Sequence, residues 1–202
     1  MSALPPELEA LKDKWVGPVR VPDDLPDHIV EKSGVYIWVR RYREAPESDS
    51  ALRGLVIYVG ADKKVRGRFG LPTRMFDHLA RLLGGGQSMY DESGMVIYAP
   101  NCREGFRRYR DDFPSLMSAA RAEFHRSEYF YVECDSLADV EKATYDHIQS
   151  RVAQTWQKDH LWLVVSMGEP KSNRKIGRNV ADPIVGSELE GRGLLRWLGL
   201  IS

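Results

Sequence analysis

Long apolar runs are missing from this chain, and so is an excess of charge of either sign. No stretch approaches the roughly 20 apolar residues that a membrane-spanning helix needs, so no membrane association is expected. The opening residues, MSALPPELEA, are acidic and prolyl and lack the apolar core of a signal peptide. Cysteine is scarce: Cys102 and Cys134 are the two in the chain, too few for a disulfide framework and not at metal-ligand spacing. They fit free thiols in a reducing compartment, so a soluble, cytoplasmic protein is expected. A formal net charge of zero excludes a global field that would draw the molecule to nucleic acid or to an anionic membrane. Internal repeats and low-complexity tracts are absent as well.

What is present is enough for one globular domain with additions: 202 residues, 43% of them hydrophobic. The charge is unevenly placed. Residues 40–81 hold ten Lys/Arg against five Asp/Glu, so a neutral total can cover a locally basic face, although such a run is more often a solvated surface.

The chain is organised around residues 55–78. Leu55, Val56, Ile57, Tyr58, Val59 and Gly60 form an apolar, β-branched run ended by a glycine, which predicts a buried strand. A second strand is predicted just upstream, over Gly34, Val35, Tyr36, Ile37, Trp38 and Val39. The polar residues 43–54 between them read as a long hairpin loop. A basic loop with Lys63, Lys64, Arg66 and Arg68 follows, and Pro72 and Thr73 then open a helix carrying Arg74 and His78. These two are four apart and project from one side of the helix, beside a stripe of Met75, Phe76, Leu79, Leu82 and Leu83. An Arg beside a His suits a phosphate: the first offers fixed charge and forked donors, the second can donate or exchange a proton. The glycines at 84–86 stop the helix.

Further along, residues 95–99 can make a strand and residues 115–125 a helix opened by Pro114 and capped by Asp112 or Ser115. Residues 128–134 are a clear strand pattern, and Asp135 or Ser136 caps a helix reaching about Gln154. At 100° per residue, Leu137, Val140, Tyr145, Ile148 and Val152 share one face of that helix, and Glu141 falls within the apolar sector. A carboxylate facing inward must be paired, protonated or bound to a metal, and an ion pair with Arg74 is the plainer option. A short helix is expected at about residues 7–15, a short strand at 161–165, a loop over 168–182, and a closing helix over 188–198 that Gly191 and Gly193 weaken.

Gly34, Val35 and Tyr36, then Tyr58, Val59 and Gly60, then Arg74 and His78, then an inward Glu141 behind a third strand: this series resembles the GIY-YIG nuclease superfamily, closest in layout to its restriction-endonuclease-like members with extended loops. The resemblance covers residues 33–82 through motifs and 128–152 by pattern. It implies an α+β fold, a small, mostly antiparallel three-stranded sheet flanked by helices. The expected organisation is an N-terminal appendage (1–32), a core (33–156) with an insertion at about 84–127, and a C-terminal extension (157–202). The implied activity is metal-dependent hydrolysis of DNA phosphodiester bonds. Glu141 would hold one divalent cation, Mg²⁺ with Mn²⁺ as the substitute. Tyr58 or Tyr36 would orient or deprotonate the attacking water, with the other in support. Arg74 would neutralise charge on the phosphoryl oxygens, with Arg66 or Arg68 as alternative counterparts, and His78 would assist proton transfer or hold a phosphate oxygen. Lys63, Lys64, Arg66 and Arg68 would meet the substrate. Asn173, or its rival Asn179, would stand for the family's asparagine. DNA is the expected partner, with RNA open, and a homodimer would help a neutral protein grip a duplex. The alternative from another class is a catalytically weak module that binds nucleic acid or a protein.

Overall fold

Two central strands bury both of their faces, and the rest of the molecule is arranged to cover them. In the computed structural model, residues 3–20, 24, 32–43, 52–62, 71–84, 86–90, 96–98, 107, 110–155, 162–167, 175–178 and 189–202 are described. Strand β2 (Gly34–Arg43) and strand β3 (Leu52–Asp62) pair antiparallel, with Tyr36 opposite Gly60 and Trp38 opposite Tyr58. Side chains alternate across a strand, so Val35, Ile37 and Val39 point to one layer and Tyr36, Trp38, Arg40 and Tyr42 to the other. β-Branched and aromatic residues at both sets of positions explain why the strand is buried throughout.

The molecule is α+β. Its sheet has the order β1–β6–β2–β3–β7–β8, with β1 (Val16–Val19), β6 (Ser127–Glu133), β7 (Trp162–Met167) and β8 (Lys175–Arg178) flanking the central pair. From β1 to β3 every pairing is antiparallel; β7 joins β3 in parallel, and β8 returns antiparallel. A three-stranded sheet was expected, and six strands are found in it among the described residues. The added strands come from the segments before residue 33 and after residue 156: β7 is the short strand expected at 161–165, while β1 and β8 carry weak sequence signals. Pro18 lacks an N–H and is tolerated at an edge such as β1. β8 is Lys-Ile-Gly-Arg, with no apolar alternation, and falls within residues 168–182, expected to be a loop. A separate two-stranded ribbon pairs β4 (Met89–Tyr90) with β5 (Val96–Tyr98).

One face of the sheet carries Val35, Ile37, Val39, Leu55, Ile57 and Val59. It packs against helix α4 (Leu137–Thr155) through Val140, Tyr145 and Ile148, with Leu8 and Trp15 beside them. Leu194, Leu195 and Leu198 from the C-terminal segment close the same core. The helix expected at 7–15 is a single turn, α1 (Pro6–Glu9), and Asp13 at φ 63° turns the chain so that Trp15 enters the core. The closing helix α5 (Gly193–Trp197) is likewise short, bounded by Gly191 and Gly199 at φ 48° and 73°.

The other face carries Tyr36, Trp38, Tyr129 and Tyr131 under helix α2 (Leu71–Leu83), which contributes Leu71, Met75, Leu79 and Leu82. Helix α3 (Phe113–His125) lies beside α2, with Pro114 in its first turn. Among the described residues, no helix is long and apolar enough to cross a membrane.

Candidate active site

Two glycines let the aromatic layer form. A Cβ on Gly60 would stand 2.5 Å from Tyr36 Cζ, so the tyrosine ring lies across the strand where residue 60 has no side chain. A Cβ on Gly34 would meet the Val132 carbonyl and approach Leu71 Cδ1 to 2.9 Å, so this glycine sets the close approach of β6 and α2. Tyr36 and Tyr58 then lie with ring centroids 6.2 Å apart.

From α2, His78 enters this layer. Its ring stands 4.7 Å from Tyr58 and 4.8 Å from Trp38 by centroids, and its Nε2 is 2.6 Å from the Tyr36 hydroxyl. Arg74, one turn earlier, brings its guanidinium charge close to the hydroxyls of both Tyr36 and Tyr58. The spacing of Arg74 and His78 therefore brings both side chains to the tyrosines, but at different depths. His78 is 1% exposed, within the stripe rather than beside it, and Tyr36 is 0% exposed. Arg74 and Tyr58 are only partly buried. His78 thus lies behind the site, too deep to hold a phosphate oxygen.

Glu141 belongs to the opposite layer, since its helix α4 packs on the Val/Ile face. It nevertheless reaches the end of β3. There β7 ends at Met167, opposite Val59, and the Ala61 N–H beyond it lies close enough to the Glu141 carboxylate to influence its titration. Burial raises the Glu141 pKa, while the Ala61 N–H and the Arg74 charge act against the rise. Tyr58 is raised by burial too, with Arg74 lowering it and Glu141 raising it further. Tyr58, Arg74 and Glu141 thus share one electrostatic environment, with Tyr36 and His78 as the layer behind.

Burial is also the first cause of the fall in the His78 pKa, to about 3, with Arg74, Arg81 and Arg40 adding to it. The imidazole is therefore neutral at ordinary pH. A residue the sequence reading passed over touches it from behind: Gln87 Nε2 lies 3.3 Å from His78 Nδ1. The glycines at 84–86 read only as a helix stop, yet Gly84 and Gly86 bond back to the Ala80 and Arg81 carbonyls, and Gln87 then meets the helix the chain has just left.

The basic stretch is not one open surface. Arg40 is 4% exposed and pairs with Glu123 at 2.7 Å, while Tyr42 donates to the same carboxylate. Arg41 is buried against Glu128 and Glu190, and Arg43 pairs with Glu190. Arg81 is exposed. Lys63, Lys64, Arg66, Arg68, Asn173 and Asn179 lie outside the described residues.

Glu141 is the carboxylate coupled to Tyr58 and Arg74 that a divalent cation could use here. Among the described residues, no group of three His, Cys, Asp or Glu side chains gathers in one place, which argues against an all-protein cage. A half-buried carboxylate with one backbone N–H on it keeps further lone pairs for a metal. That donor set fits Mg²⁺, which keeps several waters and completes its shell with substrate phosphate. Comparison of the chain with protein-family models, curated proteins and solved structures gives no match.

Proposed function

We propose that this protein is a metal-dependent endonuclease that hydrolyses DNA phosphodiester bonds in the cytoplasm, of restriction, repair or defence type. The observation that carries the reading is the electrostatic coupling of Tyr58, Arg74 and Glu141, with Tyr36 and His78 bonded to each other in the buried layer beside them. Glu141 is the residue that would hold Mg²⁺, or Mn²⁺ in its place. When bound, the ion supplies Lewis-acid polarisation of the phosphate and stabilises the leaving oxygen.

The chain's own residues do the rest. Tyr58, the more accessible tyrosine, orients the attacking water. Arg74 lies against its hydroxyl and neutralises charge developing on the phosphoryl oxygens. Tyr36 and His78 hold Arg74 and Tyr58 in register and exclude water from the back of the site. Residues 63–68 supply phosphate contacts along the duplex, and a homodimer would allow both strands to be cut.

The test incubates wild type and Glu141→Gln with supercoiled, linear and branched DNA in Mg²⁺, Mn²⁺ or chelator. Metal-dependent nicking by wild type, lost in the variant with an unchanged melting curve, is the expected result. A variant that cuts as well as wild type removes Glu141 from the mechanism. A wild type that cuts no substrate overturns the enzyme and leaves a module that binds nucleic acid or a protein.

A further inference from the structure

We propose that Gln87 is a positioning residue: its amide holds the His78 imidazole in the tautomer with the proton on Nε2, which makes the Tyr36 oxygen a hydrogen-bond acceptor. The functional value of this rests on the nuclease reading; the tautomer itself does not.

A neutral imidazole has one N–H and one bare nitrogen, and its neighbours decide which is which. His78 is buried and faced by the charges of Arg74, Arg81 and Arg40, so it carries one proton. Its two nitrogens have two separate partners. Nδ1 meets the Gln87 amide nitrogen at 3.3 Å, and Nε2 meets the Tyr36 hydroxyl at 2.6 Å. With the Gln87 amide turned this way its N–H₂ donates to Nδ1, so Nδ1 is the bare nitrogen and Nε2 carries the proton. The Tyr36 oxygen then accepts from His78, with the Arg74 charge close by. His78 is therefore not a base drawing the proton from Tyr36. It is a donor that, with Arg74, concentrates positive charge on the phenol oxygen behind the site.

The scaffold keeps Gln87 in place. The next residue, Ser88, gives its carbonyl to Arg40 Nη1 at 2.9 Å, and Arg40 is anchored by Glu123 at 2.7 Å. The imidazole is wedged between Trp38 and Tyr58. With the ring fixed in this way, what position 87 can still choose is the direction of the hydrogen bonds.

That choice can be reversed. Gln87→Glu presents only acceptor oxygens to Nδ1, which moves the proton there and turns Nε2 into an acceptor for the Tyr36 O–H. Gln87→Leu removes the preference. The experiment records the ring nitrogens of ¹⁵N-histidine-labelled wild type, Gln87→Glu and Gln87→Leu at neutral pH without substrate, with the amide spectrum as the check on fold. The expected result is Nε2–H in wild type, Nδ1–H in Gln87→Glu and a mixture in Gln87→Leu. Nδ1–H in the wild type overturns the proposal without reference to either variant. So does one unchanged tautomer in all three proteins. No DNA is cut in this experiment, so its outcome is separate from the nuclease test. In a cutting enzyme, Gln87→Glu lowers kcat about tenfold, the worth of one hydrogen bond, and leaves KM unchanged; an unchanged kcat denies Gln87 its role in the reaction.

Discussion

Tyr36 and Gly60 stand directly opposite each other in the β2–β3 ladder, and the tyrosine ring fills the space that a side chain at position 60 would need. The two motifs that carry the sequence resemblance are thus halves of one packing event. The tyrosine of the first lies on the glycine of the second, and the tyrosine of the second stacks beside it.

Gly60→Ala is the direct test of that packing. The new methyl would meet the fully buried Tyr36 ring first and the partly buried Tyr58 ring at 2.8 Å, so no small rotation relieves it. Overpacking of this kind costs about 1–3 kcal/mol, which urea denaturation will read. Tyr36 must also leave its hydrogen bond with His78, so the His78 ring ¹⁵N shifts should change. A variant as stable as wild type would mean that the ring has room to move.

Much of this arrangement was legible beforehand. The β-branched alternation around Tyr36 and Tyr58 located both central strands, and the spacing of Arg74 and His78 put both on one side of one helix. Depth was not legible. Spacing along a helix gives direction, not how far a side chain lies from solvent, so nothing in the sequence placed His78 behind Arg74. Arg40 was hidden for another reason: it reads as part of a basic stretch, but its partner Glu123 is 83 residues away. The edge strands were weak signals because Pro18 and Gly177 interrupt the patterns that strands are recognised by.

The Arg40–Glu123 pair gives a second prediction. Both side chains are buried, and the carboxylate also accepts from Tyr42. Glu123→Leu strands a guanidinium without its counter-charge and should cost about 3–5 kcal/mol. Pairing it with Arg40→Met should recover much of the loss, because the charge that needed the carboxylate is gone. A double variant no more stable than Glu123→Leu alone would show that the pair is not the unit.

His78 gives a pH dependence whose sign follows from burial. Its folded pKa, about 3, lies below the ordinary value of 6.5, so the unfolded chain takes up the proton first. Stability is therefore intact above about pH 6.5 and falls as the pH drops toward 3, by up to about 1.4 kcal/mol for each pH unit. His147, lowered mainly by burial as well, acts in the same direction. In His78→Gln the melting temperature should decline more shallowly between pH 6.5 and 4 than in wild type. Parallel curves would mean that His78 takes up its proton as readily in the fold as in the unfolded chain.

The two tyrosines should separate when each loses its hydroxyl. Tyr36→Phe leaves a buried imidazole nitrogen without the oxygen it meets at 2.6 Å, at a cost of about 1–3 kcal/mol in stability. Tyr58 is partly open to solvent, and Tyr58→Phe should shift stability by no more than about 0.5 kcal/mol. Activity should order them the other way. If Tyr58 orients the attacking water, its phenylalanine variant loses about 100-fold or more in kcat with the fold untouched. The Tyr36 variant loses activity in proportion to the displacement of Arg74. Urea denaturation and single-turnover cleavage of a DNA duplex together give both numbers for each variant. Full activity in Tyr58→Phe would take the water away from Tyr58, and wild-type stability in Tyr36→Phe would take the buried hydrogen bond away from Tyr36.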